Sequence, residues 1–227
     1  MHAARLVVVF ACAIASAGAS CSTVSPISAG VAGAPLPASR PTAVGLAAIA
    51  AVGQRGGDAP SWGPAETSVE VAPLFARRFN LAAGLSLEAG GSVGAYRSTQ
   101  SADTPVAAGP TTRLWIGPDT DLPIGVEVDV VVRVGGVVVA PTVTTNLEAR
   151  LLAACRLPGP GLLWLTTRPG IYSYFPSFDL RMASYELPIG AAFDVGPVRV
   201  GGELGLDWFP AGGVLGARAN ASAAATF

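Results

Sequence analysis

The sequence of 227 residues contains no lysine; all 14 of its Lys/Arg positions are arginine. Charge of either kind is scarce, at 13% of residues, with a net charge of −1. Soluble domains carry about a quarter charged residues. No basic surplus exists to bind nucleic acid or to attract acidic substrates. Histidine occurs once, at His2, and cysteine three times, at Cys12, Cys21 and Cys155. So few cysteines exclude a disulfide framework, and the missing His/Cys clusters exclude a zinc-type site. No cofactor is expected. Past the first 20 residues, no apolar run reaches the roughly 20 residues of a spanning helix without a charge or a Gly/Pro break.

What the chain has is apolar mass: 51% hydrophobic residues and a mean hydropathy of +0.50. Its first 20 residues read as a signal peptide. Arg5 precedes the apolar run Leu6–Ile14, and small residues follow from Ala15 to Ser20. Two processing routes fit. Ala17-Gly18-Ala19 suits simple cleavage, whereas Gly18-Ala19-Ser20-Cys21 resembles a lipobox that would place a lipid on Cys21, with Gly18 where Leu is usual. Residues 21–42 are rich in Ala, Ser, Pro and Gly, as in Ala34-Pro35-Leu36-Pro37, and read as a flexible periplasmic linker.

From residue 43 to residue 227 the pattern has period two, the strand period. Leu122, Ile124, Val126, Val128, Val130, Val132 and Val134 share one face; Glu127, Asp129 and Arg133 share the other. Leu204, Leu206 and Trp208 oppose Arg199, Glu203 and Asp207, and Leu187, Ile189 and Phe193 oppose Glu186 and Asp194. Each strand has its own register, yet its charges fall on one parity. The expected strands are 43–54, 66–77, 80–97, 110–117, 122–134, 145–156, 161–174, 183–195, 198–208 and 214–227. The first is the weakest, and eight strands is the alternative. Tight turns are expected at Phe79-Asn80, Pro118 to Asp121, Pro158 to Pro160 and Gly196-Pro197; longer links alternate with them.

The last segment, Leu215 to Phe227, places apolar residues at every second position and stops on Phe. It resembles the terminal strand of bacterial outer-membrane β-barrels. With the alternating short and long links, it implies an all-β fold: a closed antiparallel transmembrane β-barrel of about ten strands. The resemblance implies outer-membrane lipid and the barrel-insertion machinery as partners, the latter reading Phe227. Barrel enzymes of this class that act as proteases, phospholipases, palmitoyltransferases or deacylases use a catalytic His. His2 would leave with the leader, so none can be placed on the mature chain, and the chain is expected not to be an enzyme.

Alternation alone does not say which face meets lipid. Strand length, aromatics near the strand ends (Tyr185 and Trp208; Phe75, Phe193 and Phe227) and the scarcity of charge favour an apolar outer wall. The inward face would then carry Glu70, Glu88, Arg113, Glu127, Asp129, Arg133, Glu148, Arg150, Arg168, Glu186, Arg199, Glu203, Asp207 and Arg218. In a lumen this narrow the charges must pair. The expectation is a structural barrel, or a narrow channel, with a salt-bridged lumen. The alternative is a lipid-anchored periplasmic soluble β-barrel or sandwich that binds an apolar ligand inside.

Overall fold

A computed structural model describes residues 33–55, 67–98, 106–135, 142–158, 162–175, 184–209 and 214–227. Eleven strands follow one another among the described residues: β1 (Thr42–Arg55), β2 (Thr67–Ala82), β3 (Leu85–Ser98), β4 (Val106–Ile116), β5 (Ile124–Gly135), β6 (Thr142–Leu157), β7 (Leu162–Thr167), β8 (Gly170–Phe175), β9 (Ser184–Val195), β10 (Val198–Phe209) and β11 (Val214–Thr226). Every strand pair is antiparallel, and the last strand pairs with the first from Ala43↔Thr226 to Arg55↔Val214. The sheet therefore closes. Closure removes the open edges that would otherwise leave backbone N–H and C=O groups unpaired in a membrane.

β7 and β8 share a single position in the wall, because both pair with β6 on one side and β9 on the other. The barrel thus has ten strand positions, as the alternation indicates. The expected strand 161–174 is broken at Arg168-Pro169, where proline has no N–H to give to the ladder. One expected turn also moves. The chain does not reverse at Phe79-Asn80; β2 runs on to Ala82, with a register shift between Asn80 and Ala82, and the turn falls at Ala83-Gly84. Gly84 has φ +74°, a left-handed turn position that favours glycine. Phe79 keeps the outward parity instead and is 45% exposed. The expected turn at Pro158 to Pro160 and the longer links lie largely outside the described residues.

The turns at Ala83-Gly84, Gly117 to Pro123 and Gly196-Pro197 lie at one end of the barrel, here the turn end. Thr42 and Phe227 meet there, each donating its N–H to the other's carbonyl at 3.0 Å.

The two faces separate as their parity predicts. Leu46, Val93, Ile124, Leu151, Ile189 and Leu204 stand out from the wall, and Leu204 is 69% exposed. Cys155 is exposed on the same surface. Toward the strand ends, the Tyr185 and Trp208 rings lie 5.7 Å apart at one rim, while Phe75, Phe193 and Phe227 are exposed toward the turn end. An apolar belt between aromatic rims is the outer surface that lipid selects. A water-facing wall would not expose so many large aliphatic side chains together.

Candidate functional site: the filled lumen

Alternation sends every second side chain of the wall into the lumen, so the inward charges converge from strands distant in sequence. Glu127 on β5 is the centre. It accepts hydrogen bonds from Arg113 on β4, from Arg150 on β6 at 2.8 Å and from Arg168, between β7 and β8, at 3.0 Å. Arg150 also reaches Asp129, Glu148 and, at 3.0 Å, Glu186 on β9. Arg168 turns its Nε to Glu203 on β10 at 2.7 Å. Arg218 on β11 holds Glu186 through both terminal nitrogens, at 3.1 and 2.5 Å, and lies 3.7 Å from Asp207. Glu88 on β3 lies 3.8 Å from Arg113. One connected set of ion pairs therefore crosses the lumen from β3 to β11. None of its side chains is more than 8% exposed.

Of the side chains that shared parity assigned to the interior, the structure brings together Glu88, Arg113, Glu127, Asp129, Glu148, Arg150, Arg168, Glu186, Glu203, Asp207 and Arg218. Arg199 is also inward, but it pairs with its cross-strand partner Asp194, at 2.6 and 2.8 Å, apart from the central set. Glu70 and Arg133 lie on described strands, but their side chains are outside the described residues. Cys21 and the whole of residues 1–32 are outside them too. Among the described buried side chains, carboxylates number seven and guanidinium groups six. So even a balance gives no single-sign field along the lumen, and an arginine ladder for anions is absent from the described part.

The segment expected as a linker lies partly inside the barrel. Ala34 and Leu36 are 1% and 2% exposed, and Pro35 is fully buried. Ala34 and Leu36 belong to one apolar cluster with Ala43, Ala47, Ile49, Ala72, Leu74, Ala76, Ala154, Trp164, Ala192 and Ala224, all turned inward. Small inward alanines on β1, β2 and β11 leave the room, and a larger set of side chains there would close it. The lumen thus has two zones: a charged layer across its middle, and an apolar floor toward the turn end filled by residues 33–37. Sequence reasoning missed this because the segment has no periodicity of its own. It also missed Arg78, which is 5% exposed and inward; continuing the β2 alternation one step past Arg77 would have found it. Arg78 pairs with Asp119 of the Gly117–Pro123 turn at 2.7 Å, and this partner holds the Asp119 carboxyl below its ordinary value.

No protein-family model and no curated protein matches the sequence. Solved structures do match in fold. The β domain of the Bordetella autotransporter BrkA superposes with a TM-score of 0.51 at 13% identity, over 82% of this chain and 99% of that one. The translocator domain of the autotransporter NalP from Neisseria meningitidis gives 0.43 at 12% identity, over 82% and 88%. The NanC porin gives 0.45 at 8% identity, over 82% and 100%. The fold is that of the outer-membrane β-barrels, without assignment to one family within them.

The shared position of Glu127 makes it the most exacting member of the layer. Removing one partner of a buried pair costs about 3–5 kcal/mol, because the remaining charge stays buried. Glu127→Ala should destabilise the folded barrel by about that amount in urea titrations monitored by gel mobility. Asp121→Ala, which breaks the exposed 3.9 Å contact with Arg156, should change stability by less than about 1 kcal/mol. Equal effects of the two substitutions would contradict a stabilising role for the central layer.

Proposed function

We propose that this chain is a non-enzymatic outer-membrane barrel closed from within, a structural element of the envelope and not an open diffusion pore. Residues 1–20 would direct its export, and the turn end would face the periplasm. The observation that carries the reading is the ion-pair layer, which joins β3 to β11 across the lumen with hardly any exposed side chain. The soluble alternative needs a polar outer wall and an apolar ligand cavity. Here the wall is apolar and the centre is charged. Purified barrel in planar bilayers should therefore give no steady conductance at neutral pH. Stable, ohmic single-channel steps from the unmodified chain would overturn the closed-barrel reading.

The role of Phe227 belongs to the same proposal. Its ring is 64% exposed, on the outward parity of β11 and beside the closing β1–β11 seam. Its neighbours on that face are alanines, so the ring is much of the apolar area this strand offers lipid. In this reading the barrel-insertion machinery recognises that exposed aromatic beside the seam. Phe227→Ala should lower the yield of folded protein in the outer membrane, at equal expression, more than it lowers the urea midpoint of barrels already folded. Unchanged yield would remove the insertion role.

A further inference from the structure

The way residues 34–37 are held has the features of a peptide complex. Leu36 donates its N–H to Glu88 at 2.5 Å and its carbonyl accepts from Arg78 at 2.7 Å. Arg78 and Glu88 are themselves directly opposite each other on β2 and β3. A second cross-strand pair, Arg199 and Asp194 on β10 and β9, works alongside it. Asp194 engages Nε and Nη2 of Arg199, and the remaining Nη1 donates to the carbonyls of Ala34, at 3.1 Å, and Pro35, at 2.9 Å. The Pro37 carbonyl accepts from the Arg40 N–H at 3.0 Å. Both Pro35 and Pro37 lack an N–H. The stretch Pro35-Leu36-Pro37 therefore brings one donor into the barrel, and Glu88 takes it.

All four of its carbonyls from Ala34 to Pro37 have donors, so little main-chain polarity is buried unpaired. The side chains meet the apolar floor around Trp164, Ala192 and Ala224. At Gly33, with φ +55°, a Cβ would stand 3.0 Å from Cδ of Arg168. Gly33 thus abuts Arg168 of the charged layer, at a position where only a glycine fits comfortably. Beside it, a cavity of about 360 Å³ opens along Pro35, Pro37, Pro118, Asp119, Trp164 and Arg199.

We propose that the turn-end half of the lumen is a binding site for an extended, apolar peptide with prolines flanking its central residue, and that the chain's own Ala34-Pro35-Leu36-Pro37 occupies it in cis. Two cross-strand Arg–acid pairs read the main chain, and the alanine-lined floor takes the side chains. Nothing in these contacts requires that the peptide be covalently joined to β1, so a segment of another polypeptide with the same pattern can exchange with it. This goes beyond the closed-barrel reading and does not depend on the barrel's conductance.

The test uses the full chain in detergent micelles and a fluorescent octapeptide of the sequence of residues 33–40. Leu36→Asp weakens the cis segment. The folded variant should bind the peptide at least tenfold more tightly than the unsubstituted protein, by fluorescence anisotropy. Adding Arg199→Gln or Arg78→Gln should abolish the gain. A peptide with alanine in place of both prolines brings two more N–H groups, and leaving a donor unpaired costs about tenfold in affinity or more.

A second measurement needs no weakened segment. With Leu36→Cys in a chain whose other cysteines are serine, saturating peptide should speed thiol modification at position 36 about tenfold by displacing the segment. Unchanged modification at saturating peptide, or peptide binding that survives loss of both arginines, would overturn the proposal.

Discussion

A charge can be kept out of water only beside its opposite, and this constraint shapes the whole interior. Six guanidinium groups and seven carboxylates are buried among the described residues. Each would be prohibitive alone. Arginine suits the task because its planar fork has five donors and keeps its charge when desolvated. Arg150 uses this fully by touching four carboxylates from three strands. The partners must be brought together before any of them is stable inside, and closure of the sheet between β1 and β11 does that. The same alternation that gathers charge inward sends Val, Leu and Ile outward, so the lumen chemistry and the lipid-facing belt follow from one pattern.

Below the charged layer the logic changes. β1 and β2 turn Ala43, Ala47, Ala72 and Ala76 inward, with Ala224 of β11 beside them, which leaves space and asks for apolar contents. The chain fills it with its own proline-rich segment, whose shortage of N–H groups lowers the cost of burying backbone. Arg78 and Arg199 take the carbonyls that remain. The charged layer and the apolar floor meet at Gly33 and Arg168.

The wall was readable in the sequence because a strand's two faces are written in its parity. Glu127, Asp129, Arg150 and Glu203 could be placed inward, and Val126, Val128 and Leu204 outward, without any contact information. Ten strand positions followed from turn residues and link lengths. What the sequence did not show locally was residues 34–37. Their partners Glu88, Arg78 and Arg199 lie 52, 42 and up to 165 residues away, and a proline-flanked stretch has the same composition whether it is a tether or a buried ligand. The turn at Ala83-Gly84 was misplaced for a related reason. Phe79-Asn80 interrupts the alternation by side-chain type, but the backbone continues through it and slips register afterwards.

The central claim is that one face of this sheet meets lipid while the other is closed to it. Three described tryptophans report on it directly: Trp208 is 53% exposed on the outer wall, whereas Trp115 and Trp164 are 0% and 6% exposed inside. Single-tryptophan variants of the barrel, reconstituted in vesicles of lipids brominated along their acyl chains, measure the contact by fluorescence quenching. The account predicts strong quenching of Trp208 and little of Trp115 or Trp164. Quenching of Trp115 as strong as that of Trp208 would contradict it.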